Sequence, residues 1–177
     1  MFDVHFFGTL FMTKAAWPHL IGSGSGRIVN TTSESFLGMD LLSSYGSAKA
    51  AVFGLTRNVA LEGAAHGIAA NCLSPRAGTR MGVTHAQAMS MPMTIEEVAA
   101  LMPPEAIAPA GAYLAHTTCS INGETLFVGP NHISRLAVIN TRGIHAESIT
   151  AETIAEQLDE IMSTAEAQVT DISTRLT

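Results

Sequence analysis

Residues 22–33 read Gly-Ser-Gly-Ser-Gly-Arg-Ile-Val-Asn-Thr-Thr-Ser, and the order of that chemistry decides the fold. A glycine-serine cluster, Gly22 to Gly26, leads into a short β-prone run, Arg27 to Thr32. Ahead of the cluster, Asp3 to Leu20 has helix length and helix-forming residues, with Asp3 near the positive end and Pro18 near the other. A dinucleotide-binding glycine loop follows a strand and opens a helix, with G-x-G-x-x-G spacing. Here the order is helix, glycines, strand, and the spacing fails. The cluster reads as a helix-to-strand turn.

Outward from this stretch the same alternation continues. Ala48, Val52, Leu55 and Val59 recur at helical spacing between Ser47 and Ala65, and Gly67 follows as a stop. Ile68 to Leu73 is an apolar run ended by Ser74-Pro75 and predicts a buried strand. Thr94-Ile-Glu-Glu97 is a capping-box pattern opening a short helix that stops at Pro103, and Pro104 suits the first position of the next, to about Ala115. Thr125 to Val128 predicts a third strand after the Asn122-Gly123 turn. From Thr150 onward, Ile154, Leu158, Ile161, Ala165 and Val169 predict an amphipathic helix. Helices between successive strands argue an α/β fold with a parallel sheet and right-handed crossovers.

The first helix has a further property. Val4, Phe7, Phe11 and Ala15 share one face, while Phe6, Leu10 and Trp17 cover much of another. A helix apolar nearly all round is expected to be buried on two sides, against a core and against something else.

A chain of 177 residues suffices for one domain with a real core. Nine Lys+Arg against fifteen Asp+Glu give a formal charge of −6, which argues against a nucleic-acid partner. No apolar run reaches the length of a membrane span. The apolar start, MFDVHFFGTLFM, reads against a secretory signal, and none is expected: Asp3 stands where a positive region belongs, and Lys14 where cleavage would fall. Two cysteines, Cys72 and Cys119, provide no disulfide framework, and a reducing, cytoplasmic setting is expected.

Only two tyrosines and two lysines occur, yet Tyr45 and Lys49 stand four apart at the head of the second helix. Chance would give about 0.02 such pairs in this composition. Residues i and i+4 share a helix face, and a nearby cation favours phenolate over phenol. Such a phenol can exchange a proton with an alcohol or carbonyl oxygen. On spacing alone, an ordinary exposed helix pair explains the two residues equally well. Ser33, twelve residues earlier, ends the first strand, on the side of a parallel sheet where ligands bind. Alone it reads as a strand-end or turn serine.

With these residues in place, the sequence resembles the short-chain dehydrogenase/reductases. Tyr45-Gly-Ser-Ala-Lys49 matches their Tyr-x-x-x-Lys motif, Gly26 to Ser33 resembles the strand bearing their serine, and Asn71-Cys-Leu-Ser-Pro75 resembles the strand that follows their active-site helix. The resemblance runs from about Asp3 to Gly129. It implies that Tyr45 is the acid/base, that Lys49 assists it and holds the nicotinamide ribose, and that Ser33 orients the carbonyl. It further implies that Pro75, Ala77 and Thr79 contact NAD or NADP. Val4-His5-Phe-Phe-Gly8, Ala60-Leu-Glu-Gly63, Ala77-Gly-Thr-Arg-Met81 and Gly123 to Gly129 are similar to the dehydrogenase domain of peroxisomal-type multifunctional enzymes. That group acts on (3R)-hydroxyacyl-CoA, so the implied substrate is a secondary alcohol or ketone, including a 3-hydroxyacyl thioester.

Three departures from the family pattern stand out. His5 replaces an asparagine that anchors a proton-relay water, and an imidazole can both donate and accept. The Ser33 to Tyr45 interval is one residue shorter than usual, and Ser35 is the second candidate for the serine's role. Ahead of Asp3 no strand, glycine-rich turn and helix are found. The expectation is therefore a partial Rossmann-like, doubly wound sheet: its second half, with the N-terminal strands missing and the first strand's edge open.

The implied organisation is a catalytic half over 1–147 and a C-terminal helical extension over 148–177. The resemblance also implies a homo-oligomer through the helices at 3–20 and 47–65. The alternative is a truncated relative acting as a dimerisation or interaction module without turnover. His19, His66, His85, His116, His132 and His145 show no metal-ligand spacing. The methionines of Met81 to Met102 read either as a pliable lid over an acyl chain or as gap-fillers in a loop.

Overall fold

The run after the glycine cluster is a strand, β1 (Arg27–Thr31), and the two later apolar runs are β2 (Ala69–Pro75) and β3 (Thr125–Gly129). The computed structural model describes residues 1–88, 90–91 and 93–173, which form two units, Met1–Leu136 and Ala137–Thr177. In the first unit β1 pairs parallel with β2, Arg27 opposite Ala69, and β2 pairs parallel with β3, Cys72 opposite Thr125. A fourth strand, β4 (His132–Leu136), returns antiparallel after a tight turn in which Asn131 takes φ +54°. The two parallel pairings are those expected from the alternation, while no sequence signal marks the antiparallel edge strand. A two-residue turn at Pro130-Asn131 is too short for a crossover, so the chain doubles back. The Arg135–Glu124 ion pair, 2.6 Å, ties the end of the hairpin.

The helices are α1 (Gly8–Ser23), α2 (Ser43–Gly63), α3 (Arg80–Ala88), α4 (Ile95–Leu101) and α5 (Ala108–Ala115). Alternation along β1 and β2 separates the two faces of the sheet. Val29 and Leu73 pack with Ala110 and Leu114 of α5, whereas Asn30 donates to Thr56 of α2 at 2.9 Å. The sheet thus carries helices on both faces, and β2 is buried along nearly its whole length. The capping box at Thr94 and Glu97 is formed, and Gly67 closes the segment after α2 with φ +70°. Where the sequence offered only a loop after Met81, a further helix, α3, is present. Met89 lies outside the described residues.

Two elements differ from expectation. The first helix opens with a π-helical turn, Asp3–Phe7, and Pro18 sits inside α1. Of α1 only Thr13 is buried, while Val4, Phe11 and Met12 are 74%, 61% and 72% exposed, so the chain by itself does not bury both apolar faces. In the second unit, the single amphipathic helix is instead α6 (Ala151–Glu156), α7 (Leu158–Met162) and a strand. Gln157 leaves the helical region at φ −111°, ψ 19°, which breaks the periodic run. Thr150 caps α6, and β5 (Ile139–Asn140) pairs antiparallel with β6 (Gln168–Val169). Among the described residues no helix is long and apolar enough to cross a membrane.

β1 is an edge strand. Thr32 N donates to Leu73 O and Ala69 N donates to Gly26 O, so by alternation the amides and carbonyls of Arg27, Val29 and Thr31 face away from β2. That side opens on a groove of about 610 Å³ between β1 and α1.

Glycine is required where α2 begins. A Cβ on Gly46 would stand 2.7 Å from the backbone oxygen of Ser35. Alanine favours a helix interior over glycine by about 1 kcal/mol. Gly46→Ala is nonetheless expected to destabilise the fold by about 1–3 kcal/mol, through forced displacement of the turn after β1. Urea unfolding measures this, and an unchanged midpoint would mean that the turn yields freely.

Candidate active site

The site is assembled by the way α2 is fastened to the end of β1. Thr32 Oγ1 donates to the backbone oxygen of Lys49 at 2.8 Å, and Lys49 Nζ donates to the backbone oxygen of Thr31 at 2.8 Å. With helix and strand crossed at Lys49, the preceding helical turn carries Tyr45 to the same strand end. Both residues are buried, at 8% and 7% exposure, although each bears a polar tip.

Two candidates meet at the Tyr45 ring, and a third shares its cavity. Lys49 Nζ lies 5.7 Å from its centroid, and the His5 ring meets it edge-on with centroids 5.3 Å apart. Ser33 lines the same cavity as Tyr45. Burial pushes the Lys49 ammonium below its ordinary value, with Cys72 drawing it slightly upward. His5 is also lowered, chiefly by burial, then by the charges of Lys49 and the N-terminal ammonium. Burial raises the Cys72 thiol.

Tyr45 lines one cavity, and its two ring partners line another. One, of about 460 Å³, is lined by Ser33, Tyr45, Pro75, Ala77 and Thr79 together with Glu34 and Arg76. Met39, Met81, Met91, Met93 and Met102 line it as well. The other is the groove beside β1, where His5 and Lys49 lie. The structure therefore brings Ser33, Tyr45, Pro75, Ala77 and Thr79 to one cavity. Lys49 and His5, which contact the tyrosine ring, line the groove beside β1 instead.

Ser33 caps the 3-10 turn Glu34–Leu37, where its side chain accepts from Ser35 N at 3.2 Å. Ser35 is buried with its hydroxyl unpartnered and lines a different, smaller cavity. Of the two serines, Ser33 is the one that shares a cavity with Tyr45.

The sequence reading missed Glu34 and Arg76. They form a two-pronged ion pair, with Arg76 Nε donating to Glu34 Oε1 at 2.8 Å and Nη2 donating to Oε2. Arg76 also lies over the Phe127 ring, 4.9 Å from its centroid. The only sequence signal was a charge in each of the two loops that end β1 and β2.

The loop after β2 is itself well held. Arg76 N donates to Val128 O at 2.8 Å and Gly78 N to Met102 O at 2.6 Å. A Cβ on Gly78 would fall 2.3 Å from Val98 O, so only glycine allows α4 to approach the loop so closely.

The short chain dehydrogenase family model matches residues 1–89. A short-chain type dehydrogenase/reductase of Mycobacterium tuberculosis is 38% identical over 141 residues, which are 79% of this chain and 46% of that protein. Peroxisomal multifunctional enzyme type 2 of Mus musculus is 33% identical over 141 residues, covering 79% of this chain and 18% of the mouse protein. The chain thus spans less than half the length of these curated relatives. The full-length structure of peroxisomal multifunctional enzyme type 2 from Drosophila melanogaster superposes with a TM-score of 0.77 at 25% identity, covering 94% of this chain and 30% of that one. By the match to the half of the sequence that holds Ser33, Tyr45 and Lys49, the chain belongs to the short-chain dehydrogenase family.

Proposed function

We propose that this chain carries the proton-transfer half of an NAD(P)-dependent oxidoreductase that interconverts a secondary alcohol and a ketone. Its proposed substrate is a 3-hydroxyacyl thioester. The observation that carries the reading is the convergence on one buried tyrosine: Ser33 lining the same cavity, Lys49 and His5 against its ring. In the oxidative direction the substrate hydroxyl gives its proton to the Tyr45 oxygen, and Ser33 orients the substrate oxygen by a hydrogen bond. The Lys49 ammonium favours negative charge on that oxygen. Neutral His5, able both to donate and to accept, passes the proton onward.

The residues at the cavity fit the nicotinamide end of the cofactor by their chemistry. Pro75 and Ala77 offer apolar surface to a ring, while Thr79 and Tyr45 offer donors to ribose and phosphate oxygens; Lys49 offers a further donor from the groove beside β1. When bound, the nicotinamide supplies the hydride acceptor or donor. The methionine-lined wall suits a flexible apolar acyl chain, because thioether side chains adapt to irregular shapes. A relative of Thauera aromatica named as a dehydrogenase of a hydroxyl-bearing succinyl-CoA, 41% identical over 73 residues, supports the thioester class. We place the chain in the cytoplasm, where Cys72 and Cys119, both free and buried, stay reduced.

Self-association accompanies this reading. Phe7, Phe11 and Met12 on the first helix and Leu61 on α2 are exposed apolar groups, and a second copy offers the matching surface. Sedimentation at micromolar concentration is expected to give a dimer or larger; a monomer would remove this part of the proposal.

Two further measurements test the chemistry. NADH and NADPH titrations followed by turnover of a 3-hydroxyacyl-CoA are expected to show binding and activity. Tyr45→Phe is expected to lower kcat by about 100-fold or more, with a much smaller loss of cofactor affinity from the missing donor. A chain that binds neither cofactor and turns over nothing would refute the reading.

The lowered His5 value has a defined sign for stability. The folded chain binds a proton at His5 less readily than the unfolded chain. Its stabilising contribution is complete above the ordinary histidine value of about 6.5 and is lost as pH falls through the lowered one. Urea midpoints are expected to decline from about pH 7 to about pH 5. His5→Gln is expected to flatten that decline; an identical slope would show that His5 does not contribute.

A further inference from the structure

The parallel ladder between β1 and β2 ends where the candidate site begins. Its last bond is Thr32 N to Leu73 O, 2.9 Å. Beyond it the two chains part: one becomes the turn of Ser33 and Glu34–Leu37, the other the loop from Pro75 to Thr79. Among the described residues, the hydrogen-bonded link between these two segments is the Glu34–Arg76 pair.

The pair is built unlike a casual surface contact. One edge of the guanidinium, Nε and Nη2, meets both carboxylate oxygens, a geometry that fixes angle as well as distance. Arg76 is a firm post: its amide is bonded to Val128 O on β3, and its guanidinium lies over the Phe127 ring. Glu34 is held with equal economy of freedom. Its neighbour Ser33 caps the turn, and on the far side the backbone oxygen of Ser35 abuts Gly46 of α2. The turn that carries Ser33 is therefore gripped between α2 and Arg76. The arginine side chain is 51% exposed and that of Glu34 22%, so the pair contributes little to global stability. Its consequence is geometric.

We propose that Glu34 and Arg76 are positioning residues that set the Ser33 hydroxyl against the Tyr45 phenol and lock that setting to the loop bearing Pro75, Ala77 and Thr79. The inference rests on the proposed function in taking Ser33 and Tyr45 as the working pair. Neither Glu34 nor Arg76 exchanges a proton with substrate. Arg76 acts through Glu34, and Glu34 through the turn it shares with Ser33. A displaced Ser33 would misalign the substrate oxygen in the transition state more than it would weaken substrate capture, because alignment of reacting groups is worth most there. Loss of the pair should accordingly fall on kcat and spare KM. It should also free two segments that are 42 residues apart in sequence at the pair itself.

The test compares the wild-type chain with Glu34→Gln, Arg76→Gln, Arg76→Lys and the exchanged pair Glu34→Arg/Arg76→Glu. Hydrogen exchange by mass spectrometry reads the amides of residues 33–37 and 76–79. Each Gln variant is expected to raise exchange about tenfold in both segments, with the amides of β3 and β4 unchanged. The exchanged pair is expected to restore exchange to within about threefold of wild type, and Arg76→Lys to lie between, since an ammonium keeps the charge and loses the fork. Wild type in about 1 M salt, which needs no folded variant, is expected to loosen both segments together. With a 3-hydroxyacyl-CoA, the Gln variants are expected to lose about tenfold in kcat with KM within about twofold.

Exchange confined to the mutated segment, or insensitive to salt, would overturn the proposal, as would a loss carried wholly by KM. A wild-type chain without turnover would count against the proposed function alone, since the exchange and salt arms still decide the pairing.

Discussion

Lys49 is bound to β1 twice, and the rest of the site depends on that double attachment. Its backbone oxygen accepts from Thr32, and its ammonium donates to the backbone oxygen of Thr31. One residue of a helix thus engages the last residue of a strand and the one after it, fixing both the height of α2 along β1 and its rotation about its own axis. Tyr45, one turn earlier, has its place decided by this, and so do the contacts of its ring with His5 and Lys49. The charge involved is buried, which lowers the Lys49 ammonium and makes its carbonyl partner worth keeping. A similar economy runs through the polar core: Asn30 bonds Thr56, Asn71 bonds the backbone at Ile121 and Glu124, and Asn122 bonds Ala70 and Ala60.

Much of this was legible in the amino-acid order because the signals were local. The strands announce themselves as short apolar runs bounded by glycine, proline and serine, and α2 by its period. Tyr45 and Lys49 are conspicuous because both residue types are so scarce. The capping box at Thr94 is a rule about three neighbouring residues, and it is formed as written. What the order concealed was non-local. The π-helical opening to the first helix packs against α2 through His5 and Tyr45, a contact between distant parts of the chain. β4 is five residues long and needs β3 beside it to exist as a strand. The broken tail helix illustrates the limit of periodicity: Ile154, Leu158 and Ile161 keep helical spacing, yet the backbone leaves the helix at Gln157.

The candidate site divides along the same line. Ser33, Pro75, Ala77 and Thr79 reach one cavity because parallel strands deliver their C-terminal ends to one edge of the sheet, a consequence of topology that the motif order already encoded. Glu34 and Arg76 were invisible because each is a single charge in a loop, and only the spatial meeting of two strand ends makes them a pair. His5 is intermediate. Its position was marked by resemblance, but its edge-on contact with Tyr45 belongs to the packing of the π-turn against α2.

The edge of β1 has a consequence for how this sheet can grow. Of the outward-facing acceptors, the Thr31 oxygen is already engaged by an ammonium, while those of Arg27 and Val29 lie along the open groove. A strand laid against β1 would therefore find the far end of its ladder occupied by a charge that resists being left dry and unpaired. Extension of the sheet and retention of the Lys49–Thr31 bond compete for one oxygen atom. The residue that fixes the helix to the strand is also the sentry on the strand's exposed side.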